Sequence, residues 1–194
     1  MPTIAGPVYA EYNAATSQLV VADYDGGTVS VIDVSLDEYG NDSSTFGTTY
    51  TIPVGNDPAS VTALYDGSRA YTANQADGTV SIVNLSSHTL EKTLSVVGHP
   101  RTVVSTQNSE YGKVYVASPD SPYLTILQTT SDLVDTTVLV EGNVVDVRTT
   151  TQNGSSGNDN YSSRVAGYGQ PCNLPIVPVA TSTQTALQVC QAIP

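Results

Sequence analysis

Seven side chains have the types and spacing to do chemistry. His99 and Arg101 flank Pro100, and Asp57 stands just before Pro58 in the corresponding hinge of the preceding segment. A carboxylate, an imidazole and a guanidinium gathered in one place would bind a small polar or anionic ligand. The same residue types also serve as hydrogen-bond partners of neighbouring turns. Asp23-Tyr24-Asp25-Gly26-Gly27 opens like a calcium loop, with Asp-x-Asp-Gly, but lacks the third acidic position and the distal Glu. Calcium at Asp23 and Asp25 and a plain turn are the two readings. Cys172 and Cys190 lie 18 positions apart in a Pro-containing tail. That spacing permits one disulfide, worth about 3 kcal/mol by chain entropy, or two unpaired thiols. His88 falls in a loop and is expected to be solvated. The sequence has no Gly-x-Ser-x-Gly elbow, phosphate loop or His-Glu-x-x-His.

The elements that must hold these residues are strands. Among 194 residues, Gly 15, Pro 11, Tyr 12, one Met and abundant Ser and Thr describe an all-β, turn-rich chain. Lys+Arg 6 against Asp+Glu 18 gives a net charge of -12. That charge repels phosphate backbones and anionic membrane surfaces, so nucleic acid is not expected as a partner. No apolar run approaches the ~20 residues of a spanning helix, so no membrane insertion is expected. Few lysines and an acidic balance fit an extracellular, periplasmic or cell-surface protein. The first residues show neither a basic nor an apolar leader region, so a trimmed or partial chain is expected. Sequons start at Asn41, Asn84, Asn153 and Asn160.

An internal repeat organises the chain. Tyr71 and Tyr115, Ile82 and Ile126, Thr93 and Thr137, and Gly98 and Gly142 are each 44 positions apart. Pro7 to Pro58 and Val29 to Val80 are both 51, whereas Gly55 to Gly98 is 43, so the first unit carries an insertion of 8 residues. It falls in the acidic, polar stretch 35–49, expected to be an exposed loop. Each unit reads as four short strands joined by Asn- and Asp-Gly-type turns. In the second unit these are Ala59–Leu64, Arg69–Ala73, Thr79–Val83 and Leu90–Val96, the third half-buried by its alternation and the last an outer edge. A four-stranded antiparallel unit of ~40–50 residues in tandem is the pattern of a β-propeller blade. The units are about 7–57, 58–99 and 100–143. Residues 149–194 form a degenerate fourth blade or a tail, with Val144–Thr150 a first strand, Arg164–Tyr168 a second, and Asn173–Ala180 and then Thr183–Ala192 finishing the unit.

At these residues the chain resembles the YVTN β-propeller repeat family. The family's Tyr-Val-Thr-Asn strand is similar to Tyr71-Thr72-Ala73-Asn74, its Gly-Thr-Val-Ser-Val-Ile-Asp to Gly27–Asp33, and its Ile-Pro-Val-Gly-x-x-Pro to Ile52–Pro58. The third unit departs from the pattern at Pro119, Pro122 and Tyr123. The resemblance implies a radial ring, often of seven blades, in secreted, periplasmic or surface proteins. Three units and a degenerate fourth do not fill such a ring. The expectation is a piece of a longer chain, copies that complete the ring, or a compact four-blade body. A non-catalytic secreted or surface scaffold for protein or glycan contacts is the leading functional expectation, with no required cofactor. The rivals are a lactonase-like hydrolase with an acidic, metal-binding central channel, calcium being its ion, and a surface-layer or filament subunit. Fold similarity alone does not choose among them.

Overall fold

The computed structural model describes residues 4–106, 108–150 and 186–191. Its first sheet consists of β1 (Pro7–Asn13), β2 (Gln18–Asp23), β3 (Thr28–Asp33) and β4 (Thr49–Pro53), hydrogen-bonded in that order. The second holds β5 (Pro58–Ala63), β6 (Arg69–Asn74), β7 (Thr79–Asn84) and β8 (Thr89–Ser95). The third holds β9 (Thr102–Ser105), β10 (Lys113–Ala117), β11 (Tyr123–Gln128) and β12 (Leu133–Leu139). Every pairing within these sheets is antiparallel. The one helical element among the described residues is a three-residue 3-10 turn, Tyr24–Gly26.

Short loops force this meander. Gly27 (φ 59) and Gly78 (φ 64) close the turns between second and third strands at matching positions, in a left-handed conformation that other residues reach only with strain. The first-unit insertion loops out between β3 and β4, pinned by a Leu36–Asp42 bridge. There Asp37 Oδ1 accepts from the amides of Asn41 (2.8 Å) and Tyr39 (2.9 Å).

The core lies between sheets. Strand alternation sends successive side chains to opposite faces, so the second and third sheets each contribute to two clusters. Val20, Ala22, Val29, Val31 and Ile52 of the first sheet pack against Val61, Ala63, Ala70, Val83 and Leu85 of the second. Tyr71, Ala73, Val80 and Ile82, from the second sheet's other face, meet Val103, Val114, Val116 and Leu127 of the third. Leu124, with Tyr115, packs on Val144 and Val147 of the fourth unit. The sheets thus stack face to face in chain order as blades, and β1, β5, β9 and β13 (Val144–Thr150) are the first strands of successive units.

Two expectations need correction. β7 is buried on both faces, not half-buried, because a blade packs on each side of it. Its polar residue Ser81 tolerates full burial by accepting a hydrogen bond from Asn74 Nδ2 (2.8 Å). In the fourth unit β13 pairs directly with β14 (Ala186–Gln191), so the segment expected to finish that unit lies beside its first strand. Arg164–Tyr168, Cys172, Asn173–Ala180 and the polar stretch 152–160 lie outside the described residues.

Candidate functional site

The hinges from each fourth strand to the next first strand share one end of the blades with the turns between second and third strands. There the sequence places Asp57, His99 and Arg101, and the structure gives each a different partner. His99 donates its backbone N–H to Asp120 Oδ1 (2.8 Å), and its Nδ1 lies 2.5 Å from Asp120 Oδ2. One blade earlier, Asn56 donates its N–H to Asp77 Oδ2 (2.7 Å) and its Nδ2 to Asp77 Oδ1 (2.9 Å). Asn56, not Asp57, is therefore the counterpart of His99. In each seam a carboxylate on the turn of one blade anchors the hinge that leads into that blade. The amide of Asn56 and then its side chain hold the Asp77 carboxyl below the ordinary carboxylate range. The amide of His99 and then its ring do the same for Asp120. The approach is close enough to need glycine. A Cβ on Gly55 would come within 2.7 Å of Asp77 Oδ2, and one on Gly98 (φ 74) within 2.6 Å of Asp120 Oδ1.

Asp57 (φ 53) accepts the Tyr24 hydroxyl of the first blade, and that hydrogen bond raises the Tyr24 pKa. Arg101 donates its backbone N–H to Ala117 O (2.9 Å) and leaves its side chain exposed. No hydrogen bond or ion pair among the described residues joins Asp57, His99 and Arg101 to one another.

Asp23 is fully buried, and its Oδ2 accepts from Ser30 Oγ (2.6 Å) and Thr28 Oγ1 (3.1 Å). Asn74 makes the same pair of contacts with Thr79 Oγ1 (3.0 Å) and Ser81 Oγ (2.8 Å). An amide fills this role in the second blade, so a carboxylate is not required for the turn to form. Asp25 is exposed beside Gly6. Among the described residues no group of three or more His, Cys, Asp or Glu side chains converges as a metal set would.

The opposite end carries clasps that the sequence does not single out. Asp132, left-handed (φ 51) in the β11–β12 turn, reaches back to the second blade. It accepts from Arg69 Nη1 and the Tyr71 hydroxyl, while Arg69 Nη2 bonds Thr129 O (2.8 Å) and Lys92 Nζ bonds Asp132 O (2.9 Å). Burial and then Asp132 raise the Tyr71 pKa. His88 occupies the same turn one blade earlier (φ 55) and stacks on Tyr50 of the first blade with ring centroids 3.6 Å apart. It is half-buried rather than solvated, and desolvation lowers its pKa. The signal was present in the 44-residue offset linking His88 to Asp132. First-to-second-strand turns are stitched as well. Asn13 Nδ2 donates to Leu64 O (2.7 Å), and Asp66 Oδ2 accepts from Ser109 N (2.8 Å) and Oγ (2.7 Å).

First strands bring a further polar set together. Glu11 Oε1 accepts from Ala63 N (3.2 Å) and Thr62 Oγ1 (3.5 Å), and Thr62 Oγ1 lies 3.1 Å from Ser105 Oγ. Burial raises the Glu11 pKa against these hydrogen bonds. Tyr9 is also raised, by burial first and then by Glu11, with Arg148 opposing and Asp146 adding to the shift. In a half-exposed pair, Arg148 Nε donates to Asp146 Oδ2 (2.7 Å).

No family model matches the chain, and no curated protein matches it. Solved structures do. Hydrazine synthase of Kuenenia stuttgartiensis superposes with a TM-score of 0.61 at 16% identity, over 74% of this chain and 39% of that one. The WD40 repeats of RRP9 give 0.58 at 13%, over 76% and 43%. Apo AztD from Citrobacter koseri gives 0.54 at 14%, over 69% and 35%. The chain is a β-propeller by fold. It spans about two-fifths of the length of the chains it matches.

Proposed function

We propose that this chain is a YVTN-type propeller module of a secreted or cell-surface protein, acting as a rigid, non-catalytic scaffold for protein or glycan contacts. One observation carries the reading. Polar residues at the hinge end, including His99, Asp120, Asn56, Asp77 and Asp23, are engaged in hydrogen bonds that hold turns and blades together. Side chains committed to positioning hinges are poorly placed to bind and release a substrate. The share of its structural neighbours that the chain spans supports a ring completed by further blades or by other copies. A surface-layer or filament subunit would use the same contacts.

A lactonase-like hydrolase is favoured by a different observation, the Glu11 carboxyl, which accepts from Ala63 N and Thr62 Oγ1 and whose pKa burial raises. A carboxyl poised this way suits general acid or base work. Calcium titration followed by thermal melting, run in parallel with lactone hydrolysis assays, separates the two. The scaffold reading expects no turnover above background and a melting temperature unmoved by calcium. Lactone turnover lost on Glu11→Gln, together with strong stabilisation by calcium, would replace it with the hydrolase.

A further inference from the structure

We infer that the end of the blades carrying the first-to-second-strand turns is a docking surface for a Lys/Arg-rich polypeptide. The inference rests on the scaffold reading and names the surface and its partner's chemistry. Tyr12, Tyr65 and Tyr111 occupy successive blades at this end and are 56%, 69% and 75% exposed. Tyrosines this open, one per blade, leave more than half of their surface to solvent. Their placement is nevertheless rigid. Asn13, next to Tyr12, donates to Leu64 O, next to Tyr65 (2.7 Å). Asp66, on the other side of Tyr65, accepts both the N–H and hydroxyl of Ser109, two residues before Tyr111. Rigid aromatics on hydrogen-bonded turns lose little entropy on binding and favour contact surfaces.

Charge selects the partner. Of the cations at this end, Arg69 pairs with Asp132, Lys113 pairs with Asp135, and Lys92 donates to Asp132 O (2.9 Å). Glu110, adjacent to Tyr111, makes no ion pair among the described residues. Exposed tyrosine faces beside an unneutralised carboxylate, on a chain of net charge -12, attract ammonium and guanidinium groups by cation–π and Coulomb forces. A row spread over three blades is longer than a small cation can use, so a polypeptide fits it better.

The test titrates a fluorescein-labelled Arg-Gly repeat peptide, with a Ser-Gly peptide as the uncharged control, and reads anisotropy. The parent chain is expected to bind the Arg-Gly peptide saturably and not the Ser-Gly peptide. Tyr65→Ser combined with Tyr111→Ser should weaken binding about tenfold while leaving the circular dichroism melt unchanged. Neutralising the far end with Asp25→Asn and Glu141→Gln should alter affinity less than about twofold. Equal losses in the two variants, or none in the tyrosine variant, would overturn this surface while leaving the scaffold reading standing. A neutral oligosaccharide that binds through the same tyrosines, with no peptide binding, would overturn the choice of partner. Absent binding together with lactone turnover would remove both readings.

Discussion

Asp132→Ala removes the carboxylate on which Arg69 and the Tyr71 hydroxyl converge from the neighbouring blade. The Arg69 and Asp132 side chains are only 16% and 15% exposed, so little water can replace the lost partner. Arg69 would keep its bond to Thr129 O, and Tyr71 would lose its acceptor in a nearly dry site. Breaking one side of a buried pair costs about 3–5 kcal/mol, and the residual exposure argues for the lower end. For a chain of this length that corresponds to a melting temperature lower by roughly 6–12 °C. Blades interact mainly with their neighbours, so cooperativity should fall too, with the third blade melting ahead of the first two. Differential scanning calorimetry reads both quantities. Arg69→Met with Asp132→Leu should be milder than the sum of the single changes, because it leaves no unpaired charge. A single-mutant melt within about 2 °C of the parent, or strictly additive losses, would show that the clasp does not hold the blades together.

Other outcomes follow from the same geometry. Burial alone would raise the Asp66 pKa, but hydrogen bonds from Ser68 and Ser109 lower it from 3.8 to about 2. A folded-state value below the unfolded one means the contribution is complete above about pH 4 and vanishes as pH falls through 2. Discounted for solvent exposure it amounts to about 1 kcal/mol, and urea titrations of Asp66→Asn across that range should lack it. Asp23→Asn should melt close to the parent, since Asn74 does the same work one blade on, whereas Asp23→Ala should cost about 1–3 kcal/mol by leaving Ser30 unpaired. Gly98→Ala should destabilise by about 1–3 kcal/mol, measured by chemical denaturation, because φ 74 and the Asp120 carboxylate leave no room for a Cβ.

The fold was legible because its determinants repeat. Tyr71 and Tyr115 or Ile82 and Ile126 could hold one offset only if each unit formed the same strands, and β6 and β7 fall where the Asn and Asp-Gly turns put them. Burial of the second face of β7 was not legible, since Ser81 reads as a solvent-facing residue until Asn74 is found against it. In the fourth unit β14 pairs β13 across a long sequence separation, which no local periodicity encodes. At the candidate site, the sequence correctly put chemistry-bearing residues in the hinges. It could not show that His99 meets Asp120, 21 positions later and in the next blade. Asp132 was passed over because a lone aspartate in a hairpin turn looks like solvated surface. Its role depends on Arg69 and Tyr71, more than sixty positions away.

Face-to-face stacking of consecutive blades is tested most directly by methyl–methyl nuclear Overhauser contacts in selectively labelled protein. Cross-peaks should link Val31 or Ile52 with the Val61, Ala63 and Val83 cluster, and Val80 or Ile82 with Val114, Val116 and Leu127. None should link Val20 or Val31 directly with Val116 or Leu127. Contacts between the first and third sheets that bypass the second would contradict the account.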